Sequence, residues 1–398
     1  MLQGKFVVLG VTGSIAAYKS VELVRLLKKA GANVQVIMTK SGCKFIKPLT
    51  FQVLSQNPVI TEMFKEPSRW DVEHVALADK ADIFLVAPAT ANIIAKMAAG
   101  IADDILSSTL LATKAKIIVV PAMNVNMYEN PITQRNIAAL RKLDITVLEP
   151  EEGDLACGYS GKGRFPEPKD IVEHIKVILG KDGGLKDKRF LITAGPTREP
   201  IDPVRFISNY SSGKMGYALA EKAIQRGARV TLVSGPTNLS PPLGLEQFIA
   251  VKTAKEMYNA VLRHYDDVDV VIKSAAVADF SPKNIKSEKI KKHNTQMTIE
   301  LEKNPDILQE LGNKKAGQIL IGFAAETSDL TVNAHEKLRK KNLDFIVAND
   351  LTKAGAGFAA DTNIVSIIYK DGRIEELPKM SKKDLANVIL DRVMLLLR

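Results

Sequence analysis

The sequence predicts an α/β protein of two domains, each carrying a mostly parallel sheet. Two observations carry that expectation. Near the N-terminus, KFVVLGVTGSIAAYKSVELVRLLKKAGANVQVIMT runs from apolar strand through glycine-bearing turn and amphipathic helix to a second strand. In the second half, KRFLITAGPTREPIDPVRFISNYSSGKMGYALAEKAIQRGARVTLVSGPT repeats that order. A strand–helix–strand unit lays its two strands parallel, so two such openings in 398 residues start two sheets. Composition agrees: 46% hydrophobic and 25% charged residues describe a soluble globular chain. No apolar run reaches the ~18 residues that span a bilayer. MLQGKFVVLG lacks the basic start and cleavage pattern of a signal peptide. A cytoplasmic protein without a membrane partner is expected. Two cysteines, Cys43 and Cys157, make neither a disulfide framework nor a zinc pattern. The formal charge of +10 suits a solvated basic surface and anionic substrates. The basic residues spread along helices without an aromatic-rich motif, so nucleic acid is not an expected partner.

The elements follow in order. GVTGSIAAYKS sets Gly10, Gly13 and Ser14 between strand and helix, where free N–H groups suit a phosphate. The spacing is not GxGxxG, so no dinucleotide fingerprint is present, and a plain tight turn also explains it. VEHVALADKAD carries His74 just ahead of the next strand. That strand, IFLVAPAT, ends in Ala87, Ala89, Thr90 and Ala91, small enough for a flat ring to approach the backbone. Thr90 and Asn92 add hydrogen-bonding edges, at the strand end where doubly wound sheets bind ligands. KIIVV then delivers PAMNVNMYENP to the same edge and projects Asn124 into a shared cleft, with Met123 and Met127 as packing residues. EPEEGDLACGYSGKGRFPEP, residues 149–168, reads as a loop or lid. In it the glycine-flanked Cys157 is either a mobile proton donor or an inert small residue. After the helix DIVEHIKVILG, the stretch GKDGGLKDK reads as a linker. Domains of 1–184 and 185–398 are expected.

In the second domain, SNYSSGKMG again sets glycines and serines before a helix. VDVVIKSAAVADF ends a strand and carries Asp279. NIKSEKIKKHNTQ and TKAGAGFAADTN are candidates for mobile loops over a substrate. NPDI, GFAAET and KLRKKNLDFIVAND add further segments at strand ends or loops.

GSIAAYK, His74, PATAN, GIADD, PAMN and ACG together resemble the homo-oligomeric flavin-containing cysteine decarboxylases, across nearly all of residues 1–180, and within them the phosphopantothenoylcysteine decarboxylases. The resemblance implies a flavodoxin-like, Rossmann-like flavoprotein domain with FMN as cofactor. Gly13, Ser14 and Thr39 would hold the phosphate end, and Thr90, Ala91 and Asn92 would lie near the flavin. His74, Asn124 and Cys157 match the catalytic positions. The residue types fit the chemistry: oxidising the substrate thiol creates the electron sink that loss of carbon dioxide needs. His74 suits a base or orienting group. Asn124 suits the carboxylate, and Cys157 the final proton.

Residues 186–398 resemble phosphopantothenate–cysteine ligases, implying a Rossmann-like ligase domain. The motif order is that of the bacterial type, which is similar to enzymes using CTP. In that family the phosphopantothenate carboxylate forms an acyl-nucleotidylate, and the amine of cysteine displaces the nucleotide. Lysines and Mg2+ neutralise such phosphate charge; the sequence names no protein ligands for the metal. By motif, Lys289 matches the activation step and Asn209 the second half-reaction. Ser274, Ala275, Asp279, Lys289, Asn304, Pro305, Asp306, Ile307, Phe323, Lys337 and Lys341 match the nucleotide site. One small departure is Tyr128, where Trp is also common. The whole chain thus resembles the bifunctional enzymes that turn 4′-phosphopantothenate, L-cysteine and CTP into 4′-phosphopantetheine. The resemblance also implies a homo-oligomer, a dodecamer that combines trimers of one half with dimers of the other. Two alternatives are a flavoprotein decarboxylating a peptide's terminal cysteine and a non-enzymatic regulatory flavoprotein of the same fold.

Overall fold

The computed structural model describes residues 2–63, 73–154, 160–180, 183–291, 297–326, 330–350 and 360–397. They form two compact units, Met1–Lys176 and Val177–Arg398.

The first unit runs β1 (Phe6–Val11), α1 (Ala17–Lys29), β2 (Asn33–Met38), α2 (Gly42–Phe45), α3 (Pro48–Ser55), α4 (Glu73–Lys80) and β3 (Ile83–Ala89). It continues α5 (Ala91–Ala99), α6 (Ile105–Ala112), β4 (Lys116–Pro121), α7 (Val125–Glu129), α8 (Pro131–Lys142) and β5 (Thr146–Val147). The sheet order is β2-β1-β3-β4-β5, and every neighbouring pair is parallel. A parallel sheet is covered on both faces, so its strands read as continuous apolar runs; every residue of β3 is buried. Helix α1 buries Ser20, Leu23, Val24 and Leu27, the three-and-four spacing of an amphipathic helix. The strand order reverses between β1 and β3, which opens a crevice at their carboxyl ends.

The stretch expected as a loop or lid begins and ends as strands. β6 (Glu151–Asp154) pairs antiparallel with β7 (Ser160–Arg164), ahead of α9 (Pro168–Gly180). Its glycines permit a close approach rather than a loose loop. A Cβ on Gly163 would stand 2.3 Å from the Met123 carbonyl oxygen, and the Met123 amide donates to the Gly163 carbonyl at 3.2 Å. β7 therefore lies directly against the loop that carries Asn124.

The second unit begins with β8 (Arg189–Ala194), the hairpin β9 (Arg198–Pro200) and β10 (Phe206–Ser208), α10 (Lys214–Ile224), β11 (Arg229–Ser234), β12 (Gln247–Ala250), α11 (Ala254–His264) and β13 (Val270–Lys273). Then come β14 (Phe280–Pro282), β15 (Leu301–Lys303), α12 (Ile307–Lys314), β16 (Ile319–Glu326), α13 (Leu330–Lys340) and β17 (Phe345–Asp350). It closes with β18 (Thr362–Asn363), β19 (Val365–Tyr369), β20 (Ile374–Glu376), β21 (Met380–Ser381) and α14 (Lys382–Leu396). The large sheet has the order β12-β11-β8-β13-β16-β17-β19-β20. It is parallel through β17, and its last two pairings are antiparallel. Leu219 of α10 and Ile389 of α14 pack on one face; Met257 of α11, Leu311 of α12 and Leu338 of α13 pack on the other. This is a doubly wound sheet whose order reverses between β8 and β13. No helix among the described residues is long and apolar enough to cross a membrane.

Two candidate ligand sites at the strand ends

Each unit opens a cavity at its reversal point. In the first, a cavity of about 960 Å³ is lined by Gly13, Thr39, Thr90, Ala91 and Asn92, with Lys40, Ser41, Lys96 and Met127. Thr12 joins the two central strand ends: its hydroxyl donates to the Pro88 carbonyl at 2.7 Å and accepts from the Thr90 amide at 3.2 Å. Gly13 makes room, since a Cβ there would lie 2.5 Å from the Ser41 Cβ. The Thr39 hydroxyl accepts from the Gly42 amide at 3.1 Å, which shapes the turn opposite. Thr90 caps α5 by accepting from the Ile93 amide at 3.4 Å. The first N–H groups of α5 have no acceptor within the helix, and Ala91 and Asn92 bring them to the cavity wall. Lys96 reaches Asp103 at 2.6 Å and Asp104 at 3.2 Å, and its hydrogen bond holds the Asp103 carboxyl below its ordinary range.

The other expected residues of this half are placed less uniformly. The Ser14 hydroxyl donates to the Ala122 carbonyl at 3.3 Å and ties the first turn to the Asn124 loop. Asn124 caps α7, its Oδ1 accepting from the Asn126 amide at 2.9 Å. Ser14, Asn124 and His74 are not among the described residues lining the cavity. His74 is half-buried on α4. Cys157 lies outside the described residues. Sequence reasoning missed the Glu149 node. Tyr128 donates to Glu149 at 2.9 Å, Lys162 of β7 pairs with it at 3.0 Å, and Arg141 of α8 bonds its other oxygen. Burial, then Glu149, push the Tyr128 hydroxyl up to about 12. The signal was Tyr128 itself, which adds a hydroxyl where an indole also fits.

In the second unit, a cavity of about 400 Å³ is lined by Asn209, the 210–216 turn into α10, Lys273 to Val277, Asp279, Phe323 and Lys337, and also by Asn349, Asn363 and Lys382. Four lysines, Lys214, Lys273, Lys337 and Lys382, face one lining carboxylate, Asp279. Such a wall attracts polyanions. Gly216 allows the close approach that builds it. A Cβ there would lie 2.6 Å from both the Ala194 Cβ and the Ser274 hydroxyl. The Ser274 hydroxyl donates to the Thr193 carbonyl at 2.8 Å, and the Ala275 amide to the Thr193 hydroxyl at 3.2 Å. Asn209 is held over the same strand end, donating to the Ala276 carbonyl at 3.2 Å.

Of the expected nucleotide residues, Ser274, Ala275, Asp279, Phe323 and Lys337 meet in this cavity. Asn304, Pro305, Asp306, Ile307 and Lys341 form a shelf beside it. Asn304 donates to the Ala278 carbonyl at 2.9 Å, and Asp306 caps α12 and pairs with Lys341 at 2.8 Å. Burial raises the Asp306 carboxyl, but Lys341 and the Gln309 amide pull it below its ordinary range. The Ile307 side chain is 2% exposed in the core, so only its backbone can meet a ligand. Lys289 stands apart: it is exposed and absent from the described cavity wall. Its loop is pinned to the β9–β10 turn, where Ile290 donates its amide to Asp202 at 3.2 Å and Arg205 bonds the Ile290 carbonyl at 2.6 Å. Lys273 and Lys382 were missed; each closes or opens an element whose apolar run drew the attention.

Each doubly wound unit thus carries a cavity at its reversal point, cationic in the second, the arrangement of a two-domain α/β enzyme. Residues 1–180 match the flavoprotein family, and residues 185–396 match the DNA/pantothenate metabolism flavoprotein C-terminal domain. The coenzyme A biosynthesis bifunctional protein CoaBC of Bacillus subtilis (strain 168) is 54% identical over 395 residues, covering 99% of this chain and 97% of its own. Its Escherichia coli (strain K12) counterpart is 43% identical over 396 residues, 98% of this chain and 97% of its own. The crystal structure of the C-terminal domain of a coenzyme A biosynthesis bifunctional protein CoaBC shares 50% identity, covers 54% of this chain and 98% of its own, and has a TM-score of 0.47. The chain belongs to the family of bifunctional coenzyme A biosynthesis proteins. A match over both halves leaves no place for a stand-alone peptidyl-cysteine decarboxylase or a non-enzymatic subunit.

Proposed function

We propose that the flavoprotein half is an FMN-dependent phosphopantothenoylcysteine decarboxylase and the C-terminal half a CTP-dependent phosphopantothenate–cysteine ligase. The observation that carries this reading is the pair of strand-end cavities, one cradled by Gly13 and the α5 start, the other walled by four lysines. The first fits FMN: its volume suits a cofactor, and the Gly13 gap is one that a Cβ would fill. FMN, when bound, supplies the electron sink and the returning hydride. The chain supplies the rest. Gly13 and Thr39 of the cavity wall, with Ser14 of the same turn beside them, would hold the phosphate end, and Thr90, Ala91 and Asn92 would border the ring. Asn124 holds the substrate carboxylate without an ion pair that would stabilise the ground state. His74 takes or orients the thiol proton, and Cys157 donates the last one. Gly13→Val is expected to purify with little flavin, since Ser41 would have to give way. Visible absorbance per mole of protein checks this, and a fully yellow variant would remove the phosphate end from that turn.

In the ligase half, the phosphopantothenate carboxylate attacks the α-phosphorus of CTP and pyrophosphate leaves. The amine of cysteine then displaces CMP. Lys289 serves the first step and Asn209 the second. Described residues hold no group of three His, Cys, Asp or Glu that could chelate a metal. Mg2+ would enter with the triphosphate, whose charge it would help to neutralise. Exposed Leu49 and Val53 in one unit and Phe206 and Phe280 in the other offer apolar surface for a homo-oligomer, a cytoplasmic dodecamer in this reading. An active monomer by light scattering would overturn that assembly. The deciding experiment is product analysis with phosphopantothenate, cysteine and either CTP or ATP. 4′-Phosphopantetheine and carbon dioxide are expected with CTP. No ligated product with either nucleotide would overturn the ligase reading.

A further inference from the structure

Lys273 ends β13, the central strand at the reversal point of the second sheet. It is half-buried, lines the cationic cavity and makes no hydrogen bond or ion pair among the described residues. Three of the lysines around it are engaged elsewhere. Lys341 pairs with Asp306 at 2.8 Å, Lys214 pairs with Asp361 at 2.7 Å, and Lys382 bonds the Ala360 carbonyl. Asp279 and Asp306 attract Lys273, while Lys341 and Lys337 repel it. Gly216 presses the start of α10 against the adjoining strand end, beside Ser274. A partly desolvated ammonium that faces an open cavity, attracted by Asp279 and Asp306 but paired with neither, gains when an anion arrives.

We propose that Lys273 is a ligand for the nucleotide's phosphate chain, the cation that meets it between the start of α10 and the Lys337–Lys341 side. This rests on the nucleotide reading above. It has a consequence for proton uptake on binding. Burial, then repulsion from Lys341, push the Lys273 amine down to about 8 in the free protein. Part of it is therefore neutral in mildly alkaline solution, and a bound polyanion restores the charge. Binding takes up a proton: about half a proton per site at a pH equal to the free-state value. The triphosphate is already fully ionised there and contributes little.

The test is calorimetric titration of the full chain with CTP and Mg2+ near that pH, in buffers of different ionisation heat. The wild type is expected to take up about half a proton per site. Lys273→Met is expected to bind about tenfold or more weakly, as for loss of a charged hydrogen bond, and to take up none. Lys273→Arg keeps a charge that does not titrate, so binding should stay within a few-fold while the uptake vanishes. Wild-type affinity in Lys273→Met, or unchanged uptake in Lys273→Arg, overturns the assignment. Inorganic tripolyphosphate separates the two layers. A chain that ignores nucleotides yet binds tripolyphosphate with uptake dependent on Lys273 keeps this inference and sinks the nucleotide reading. Tripolyphosphate binding indifferent to Lys273 sinks the inference itself.

Discussion

Lys289→Gln is expected to abolish formation of the acyl-cytidylate, and Asn209→Asp to form it but fail to pass it to cysteine. The two residues sit differently. Lys289 is exposed on a loop pinned through Ile290 to Asp202 and Arg205. Its ammonium carries no hydrogen bond or ion pair among the described residues. A free cation on a loop is suited to meeting charge that develops as pyrophosphate leaves, and an amide cannot replace it; the loss should be about 100-fold or more in the first step. Asn209 already lies in the cavity wall, donating to the Ala276 carbonyl. Aspartate there loses that donor and adds a second carboxylate to the lining. The change bears on how the acyl group is held once formed. Mass spectrometry of mixtures quenched without cysteine, then after its addition, separates the steps. Equal loss of the intermediate in both variants would contradict the division of roles.

The architecture was legible because parallel strands are buried on both faces and read as uniform apolar runs. The segments around β1–α1–β2 and β8 to β11 are of that kind, and both sheets reverse where the quoted turns fall. What was not legible has physical reasons. The hairpin arms β6 and β7 hide behind glycines, a composition that reads as a loop until Gly163 is seen against the Met123 carbonyl. Lys273 closes a strand whose buried residues carry the pattern, and one terminal lysine adds no period. Ile307 was grouped with polar neighbours, yet it faces the core because Asp306 caps the helix that begins there. Lys289 matched by motif alone, and a motif carries no information about where a long loop rests.

Cys157→Ser is expected to release carbon dioxide about once per active site and then stop, whereas His74→Asn should release none. The argument is one of proton supply. Losing carbon dioxide requires the substrate thiol to give up its proton and the carboxylate to be held, roles assigned to His74 and Asn124. Completing the turnover requires a proton delivered to carbon afterwards. A thiol with an ordinary pKa of ~8.5 can deliver it, and a serine hydroxyl is far too weak an acid. Strands β6 and β7 come before and after Cys157 in the chain. β7 is hydrogen-bonded to Met123, next to Asn124, and Lys162 fastens it to Glu149. Loss of the thiol should therefore leave the earlier steps intact, with the visible flavin absorbance bleached and persisting so under anaerobic conditions. In His74→Asn the absorbance should stay at its starting value. Labelled carbon dioxide counted over the first seconds, alongside the absorbance, reads both outcomes. A Cys157→Ser enzyme that turns over at the wild-type rate would show that the hairpin is a cover and its cysteine a bystander.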